Sequence, residues 1–197
     1  DGRAAIRLRG GATDAQEDFD YVIVGGGAAG CVLANRLSAD PATRVLLLEA
    51  GEDATKDMRV RVPAAAVKLF KSSLDWDYES APSDGVNHQV YLCRGKALGG
   101  SSSTNVMLYH RGSAADHDAW VDAGASGGGA KDCLPYYRKA EDYFEGESQY
   151  HGAGGPTSVE EVPYQNPLSK AFLKATGSLG YRPTSDFNDW SAPQEGY

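Results

Sequence analysis

Three glycines with the spacing G-x-G-x-x-G, namely Gly25, Gly27 and Gly30, directly follow the short apolar run at residues 21–24. Such a run predicts a strand, and the residues after the second glycine predict the start of a helix. The first glycine permits a tight turn, the second lets backbone approach a ligand, and the third lets helix and strand pack closely. Free N–H groups at the start of that helix would bind a phosphate.

An acidic residue, Glu49, directly follows the next apolar run, residues 45–48, and lies about 20 residues after the glycine pattern. This acid, Glu49, stands where a carboxylate accepts hydrogen bonds from the ribose hydroxyls of an adenosine. It also disfavours a 2′-phosphate, so NADP is the least favoured dinucleotide. Strand, glycine turn, helix, second strand and acid together predict binding of an adenine dinucleotide, whereas the glycine pattern alone would also suit a structural turn.

A second glycine-rich stretch, residues 94–105, follows a predicted strand at 89–92 and reads RGKALGGSSSTN. Its two adjacent glycines, Gly99 and Gly100, precede a run of hydroxyl side chains. Backbone of this composition can come very close to a planar or phosphorylated ligand. Taken alone, such a stretch is more often an ordinary polar turn.

Composition argues against several other classes of protein. The 197 residues carry a net charge of -8 and have a pI near 4.9, which argues against a nucleic-acid partner because phosphate backbones attract basic surfaces. No apolar run approaches the length of about 18–20 residues that a membrane-spanning helix needs. The three cysteines and four histidines show no metal-ligand spacing, so no metal site and no disulfide framework are expected.

The two glycine motifs occur together in one known family. The dinucleotide unit combined with the stretch at 94–105 resembles the glucose-methanol-choline (GMC) flavin oxidoreductases, whose first signature reads R-G-x-x-L-G-G-S-S-x-x-N. The loops at 151–156 and 186–190 also fall where such proteins place comparable loops. The resemblance covers nearly the whole chain. It implies an α/β fold: a Rossmann-like FAD-binding domain of the GMC type with the beginning of an α+β substrate domain, truncated.

The resemblance implies FAD as the cofactor. Noncovalent binding is expected because the position that matches the flavin-linked histidine of some relatives is Leu92. The resemblance also assigns cofactor-binding residues to four short stretches. These are Gly25, Gly27, Ala28, Ala29 and Gly30 at the glycine turn, Glu49 and Ala50 at the adenosine, and Leu98, Gly99, Gly100, Ser101, Asn105, Val106, Met107 and Leu108 along the pyrophosphate and flavin.

Within the family, the chain resembles the fatty acid photodecarboxylases of algae through the segments at 74–76, 108–112 and 185–191. This similarity implies a light-driven flavoenzyme that acts on free fatty acids. Under blue light the bound carboxylate loses one electron and carbon dioxide, and the alkyl radical is reduced and protonated to a hydrocarbon one carbon shorter. The similarity also implies a chloroplast location, with which the arginine-bearing start of the chain is compatible.

Two other functions fit the same sequence. A dark GMC oxidoreductase would transfer hydride from an alcohol or choline-like substrate to FAD, and a truncated module would bind a dinucleotide without catalysing a reaction. The family's catalytic groups are expected after Tyr197, in the remainder of the same polypeptide. The expected division is a disordered leader at 1–18, the N-terminal part of the FAD-binding domain at 19–112, and a helical and loop connection with the start of the substrate domain at 113–197.

Overall fold

The computed structural model describes residues 4–8, 18–83, 85–192 and 194. The chain divides into two compact units, residues 1–108 and 109–197. The division therefore falls between residues 108 and 109, whereas the sequence predicts it after residue 112.

Among the described residues up to position 49, the first unit has three strands and one helix: β1 (Ala4–Leu8), β2 (Tyr21–Val24), α1 (Ala28–Leu37) and β3 (Val45–Glu49). The strands form one parallel sheet in which β3 lies between the other two, and Tyr21 is the register partner of Val45. Because β3 is the central strand and is buried on both faces, its sequence is apolar without alternation.

Helix α1 packs on the sheet through one buried stripe. Ala34 belongs to the same buried apolar cluster as Val45 and Leu47 of β3, and Cys31 and Leu37 pack against that cluster. Residues three apart on a helix lie on one face, which explains why these side chains share one environment. Cys31 is therefore a packed side chain of the helix.

The structure differs from the predicted disordered leader at residues 4–8. These residues form β1, whose backbone pairs in parallel with β3, beginning with Ala4 opposite Val45. An unpaired strand edge presents a row of free N–H and C=O groups, and this pairing satisfies those of β3. The prediction of disorder is wrong for these five residues, and its remaining parts, 1–3 and 9–17, lie outside the described residues.

The rest of the first unit consists of short elements: α2 (Met58–Arg61), a 3₁₀ helix (Pro63–Lys68), β4 (Tyr78–Glu79), β5 (Tyr91–Leu92) and α3 (Ser101–Thr104). Strands β4 and β5 pair antiparallel. A second buried cluster, which includes Leu69, Leu74 and Ala97, packs these elements together. Leu74 and Ala97 have no exposed surface, so the polypeptide that leads into the second glycine motif is firmly anchored.

In the described part of the second unit there are three helices and two short strands: α4 (Ala114–Asp122), α5 (Ala130–Ala140), β6 (Glu141–Tyr143), β7 (Thr157–Val159) and α6 (Pro167–Ser178). Strands β6 and β7 pair in parallel. Helix α4 begins with a capping box in which the Ser113 side chain and the Asp116 side chain bond reciprocally to backbone N–H groups. Within the described ranges, no helix is long and apolar enough to cross a membrane.

A buried ion pair organises the second unit. The Nη2 of Arg111 lies 2.6 Å from the Oε2 of Glu141, and the two side chains are 1% and 0% exposed. Glu141 also accepts a hydrogen bond from the backbone N–H of Gly152 at 2.9 Å. The ring of His151 lies between Glu141, at 3.2 Å, and the Oδ2 of Asp186, at 2.6 Å. Charges this deeply buried are stable only when they are paired and hydrogen-bonded.

The loop after α6 packs against the segment that contains Arg111 and forms hydrogen bonds with the backbone of that segment. The side-chain oxygen of Asn188 accepts from the N–H of Arg111 at 3.0 Å, and its amide donates to the carbonyl of Tyr109 at 2.9 Å. The indole N–H of Trp190 donates to the carbonyl of Gly112 at 2.8 Å. Segments 109–112 and 186–190, which carry part of the family resemblance, are therefore bonded to each other.

We expect Glu141→Gln to destabilise the protein strongly, because it removes one charge of a buried pair and leaves the Arg111 guanidinium uncompensated. Breaking such a pair costs about 3–5 kcal/mol. Glu147→Gln is the matched control: Glu147 pairs with Arg138 but its side chain is 69% exposed, and such a pair contributes only about 0–1 kcal/mol. Thermal denaturation monitored by circular dichroism compares the two variants, and similar shifts in Tm would contradict the expectation.

Candidate functional site

The glycine turn between β2 and α1 has the backbone that the sequence predicts. Gly25 has a φ of 102°, a backbone conformation that residues other than glycine rarely adopt. A Cβ atom on Gly30 would lie 1.9 Å from the carbonyl oxygen of Gly25, so only glycine lets the helix pack this closely. Gly27, the N-cap of α1, has a φ of -75° and open space where a Cβ would be.

The carboxylate of Glu49 braces this turn. Its Oε2 accepts from the N–H of Gly26 and its Oε1 from the N–H of Gly51, both at 2.7 Å, and Glu49 is only 9% exposed. A carboxylate has about four lone-pair sites, so Glu49 can hold both backbone segments and still accept from ligand hydroxyls. The position of Glu49 in the sequence predicts a ligand group, whereas its bracing of the turn is evident only from the structure.

The second glycine motif packs directly on the first. The N–H of Gly99 donates to the carbonyl of Gly26 at 2.7 Å. A Cβ on Gly100, which has a φ of 56°, would lie 2.8 Å from the Cα of Gly27. The backbones of the two motifs, more than 70 residues apart in sequence, therefore meet at a distance that only glycines permit.

A cavity of about 740 Å³ lies where the two motifs meet, within the range of about 300–1,000 Å³ typical of small-molecule sites. We call it the main cavity. Part of its lining was expected from the sequence: Gly25, Gly27, Glu49, Ala50, Gly100 and Ser101. The rest of its lining was not assigned in advance: Val24, Leu48, Trp76, Tyr78, Arg94, Gly95 and Lys96.

A second cavity of about 360 Å³, which we call the side cavity, shares Arg94 and Ser101 with the main cavity. Leu69, Phe70 and Leu74 give it an apolar wall. Its other lining residues are Asp75, Cys93, Thr104 and the predicted Asn105 and Val106. A smaller cavity of about 200 Å³ is lined in part by Asn105 and the predicted Met107.

Other residues predicted from the sequence lie outside the linings of these three cavities: Ala28, Ala29, Gly30, Leu98, Gly99 and Leu108. Gly30 and Gly99 serve the contact between turn, helix and second motif, and Leu98 packs against the buried cluster of α1 and β3. Leu108 is 81% exposed. No three His, Cys, Asp or Glu side chains of the described chain come close enough together to hold a metal ion.

Asp75, in the lining of the side cavity, accepts four hydrogen bonds. Its Oδ2 accepts from the hydroxyl of Tyr91 and from the N–H of Lys71 at 2.8 Å, and its Oδ1 from the N–H groups of Arg94 at 3.0 Å and Asp77 at 3.1 Å. Partial burial raises the pKa of Asp75, but these bonds, led by that of Tyr91, outweigh it and lower the pKa to about 2. Partial burial and the bond to Asp75 raise the pKa of Tyr91 to about 12.

The sequence profile of the GMC oxidoreductase family matches residues 19–196. The chain belongs to this family. Its fold is the α/β, Rossmann-like N-terminal domain of the GMC type, as the resemblance predicted. A crystal structure of pyridoxine 4-oxidase from Mesorbium loti is similar with a TM-score of 0.78 and 41% sequence identity, covering 88% of this chain and 34% of that chain.

Two curated GMC relatives have different activities. The chain is 47% identical over 197 residues to the chloroplastic fatty acid photodecarboxylase of Chlamydomonas reinhardtii, covering 99% of this chain and 31% of that protein. It is 48% identical over 184 residues to an oxygen-dependent choline dehydrogenase of Escherichia coli, covering 91% and 33%. The chain thus spans about a third of the length of these relatives.

We expect Gly30→Ala to lower the Tm, because the added Cβ would overlap the carbonyl oxygen of Gly25. Overpacking of this kind costs about 1–3 kcal/mol. Gly27→Ala is the control: its φ suits any residue and its Cβ meets nothing within 4 Å, so its Tm should remain close to that of the wild type. Thermal denaturation of both variants checks this, and a stable Gly30→Ala protein would show that α1 can shift away from the turn.

Asp75→Asn should destabilise the protein at about neutral pH and have little effect near pH 2. The folded-state pKa of Asp75 lies below the ordinary value of 3.8, so the carboxylate contributes stability above about pH 4 and loses it as the pH falls towards 2. The measurement is the difference in Tm between wild type and variant from pH 6 to pH 2, at about one-unit steps. A difference that stays constant over this range would contradict the assignment.

Proposed function

We propose that this chain binds FAD noncovalently in the main cavity and the adjoining side cavity. The observation that carries the proposal is that both glycine motifs and the carboxylate of Glu49 line one cavity of about 740 Å³. The glycine turn also has room for the phosphates of FAD. Gly27 leaves open space where a Cβ would be, and the start of α1 has no side-chain cap. A phosphate would complete the hydrogen bonding of that helix terminus.

The residues around the main cavity divide naturally between the parts of FAD. Gly25 and Gly27 of its lining, with the backbone N–H groups of Ala28 and Ala29 at the adjoining start of α1, would hold the pyrophosphate, and Glu49 would accept from the adenosine ribose. Ser101 and Asn105, with the apolar wall of the side cavity, would contact the flavin end. When bound, FAD supplies the redox chemistry, and the protein supplies orientation, electrostatics and exclusion of water.

For the complete protein, we propose light-driven decarboxylation of free fatty acids in the chloroplast. The similarity to the Chlamydomonas photodecarboxylase extends over 99% of the chain. Segments 109–112 and 186–190, on which the resemblance rests in part, are bonded together through Asn188 and Trp190. Because the chain spans about a third of the length of that relative, the groups that would bind the fatty carboxylate are proposed for the other part of the complete protein.

A dark oxidoreductase is the second candidate function. The choline dehydrogenase of Escherichia coli has the same level of identity, 48%, although over a shorter part of the chain. Such an enzyme would bind the same cofactor through the same glycine motifs. It would transfer hydride from an alcohol or a choline-like substrate to FAD without light.

We expect the full-length protein, purified with FAD and supplied with palmitate, to release carbon dioxide and form a C15 hydrocarbon under blue light. The measurement is gas chromatography of hydrocarbon and carbon dioxide, with the same mixture kept in darkness as control. A yellow protein that forms no product in light but bleaches anaerobically with choline or an alcohol in the dark would contradict photodecarboxylation and support the second function.

Two controls address the cofactor alone. Gly27→Ala should fold but bind FAD more weakly, because its new Cβ projects from the lining of the main cavity where backbone must approach the ligand. Acid precipitation should release the flavin into the supernatant, since noncovalent binding is proposed. Flavin that remains in the pellet would show a covalent link.

A further inference from the structure

Helix α6 has an apolar stripe that no residue of the described chain covers. Leu168, Phe172, Ala175 and Leu179 are spaced three and four residues apart, so they lie along one face at the helix and its C-cap. Leu168, Phe172 and Leu179 are 79%, 66% and 76% exposed, and Ala175 is exposed as well. We call these four residues the α6 stripe. Exposed apolar surface that is contiguous marks a place of contact.

The helix needs such a contact in order to be stable. It has 12 residues, none of which is buried. Isolated helices shorter than about 12–15 residues are marginal in water, because helices in proteins owe most of their stability to the packing of an apolar face. Thr176 and Gly177, two weak helix formers, are the half-buried positions of α6, and both lie outside the stripe. Packing on the stripe would therefore supply the stability that the helix lacks.

The surface around the stripe is uncharged. The two charged side chains of α6, Lys170 and Lys174, each come two positions after a stripe residue, and side chains two apart on a helix do not share a face. The segments that flank the helix add further apolar surface. Val162, Tyr164 and Tyr181 are 71%, 69% and 63% exposed. A partner that covers this surface must itself be apolar.

Charge and chain length both favour a protein surface of the same polypeptide as the partner. Helices that lie in a membrane surface carry a strongly charged polar face, whereas α6 has two charged side chains, and a net charge of -8 opposes binding to anionic lipids. The chain spans 31% and 33% of the two curated relatives, so most of a protein of that length lies outside these 197 residues. A surface on the same polypeptide has a far higher effective concentration than one on a second copy.

We propose that the α6 stripe docks on an apolar surface of the polypeptide that is expected after Tyr197, and that this contact holds α6 in the complete protein. A helix with one apolar stripe is stable when it buries that stripe against a second layer of secondary structure. The sheet of the first unit buries helix α1 in this way, through Ala34 and its neighbours. The proposal rests on the stripe and on the length of the relatives, and it is independent of the proposed cofactor and reaction.

Hydrogen–deuterium exchange of the full-length protein, followed by mass spectrometry, tests the docking. In the wild type, we expect the amides of α6 to exchange at least about 100-fold more slowly than in an unfolded chain, because a docked helix opens rarely and a free helix of this length protects its amides little. Leu168→Gln and Phe172→Gln should each speed this exchange about tenfold or more, since glutamine keeps the helix propensity and removes the apolar contact.

Lys170→Gln and Lys174→Gln are the matched controls, because they place the same residue on the same helix outside the stripe. Their exchange should equal that of the wild type. If the stripe variants fail to fold while the lysine variants fold, the stripe is buried as proposed, and the milder Leu168→Ala then supplies the exchange rate.

Three results would overturn the docking: fast exchange of α6 in the wild type, equal exchange in stripe and lysine variants, or protection that requires another molecule. Protection that appears only with vesicles of anionic lipid would assign the stripe to a membrane, and protection that rises with protein concentration would assign it to a second copy. A full-length protein that binds no FAD but shows the expected exchange rates would contradict the proposed cofactor and leave the docking intact.

Discussion

The carboxylate of Glu49 is the interaction on which the site depends. One side chain at the end of a buried strand bonds to the N–H groups of Gly26 and Gly51, which belong to segments on either side of the strand. Gly26 then accepts from Gly99 of the second motif, and Gly51 packs against Lys96. A buried carboxylate must satisfy its oxygens, and here its donors, Gly26 and Gly51, are the direct sequence neighbours of residues that line the main cavity. The hydrogen bonds that compensate the buried Glu49 carboxylate for lost solvation therefore also fix the geometry of the site.

Glycines at the contacts within and between the two motifs allow the backbones to approach closely. Gly30 against Gly25, and Gly100 against Gly27, approach within distances that a single added methyl group would prevent. The aliphatic anchors Leu74 and Ala97, both without exposed surface, fix the segments that lead to these contacts. The backbone groups that would hold a phosphate are thus positioned by packing, with little freedom left to lose on binding, which is the condition for tight recognition.

The segments of the second unit are held together by buried charges instead of glycine contacts. Its organising contact is the ion pair of Arg111 and Glu141, extended through His151 to Asp186 and through Asn188 to the backbone of Arg111. Neither buried charge could remain without its partner, so four separate segments of chain are held in one arrangement. On α6, Leu168 and Phe172 remain 79% and 66% exposed.

The sequence by itself determined the parts of the site whose chemistry is local. Gly25, Gly27, Gly30 and Glu49 could be read from one strand, one turn and the next strand, because a positive φ and a helix terminus are properties of a few adjacent residues. The family resemblance added the second motif, and the profile match over 19–196 confirms the family. Tertiary structure alone decided that Glu49 braces the turn, that β1 pairs with β3, and that Trp76, Tyr78 and Lys96 line the main cavity. These features join residues about 20 or more positions apart, and short-range spacing does not encode which distant backbones will meet.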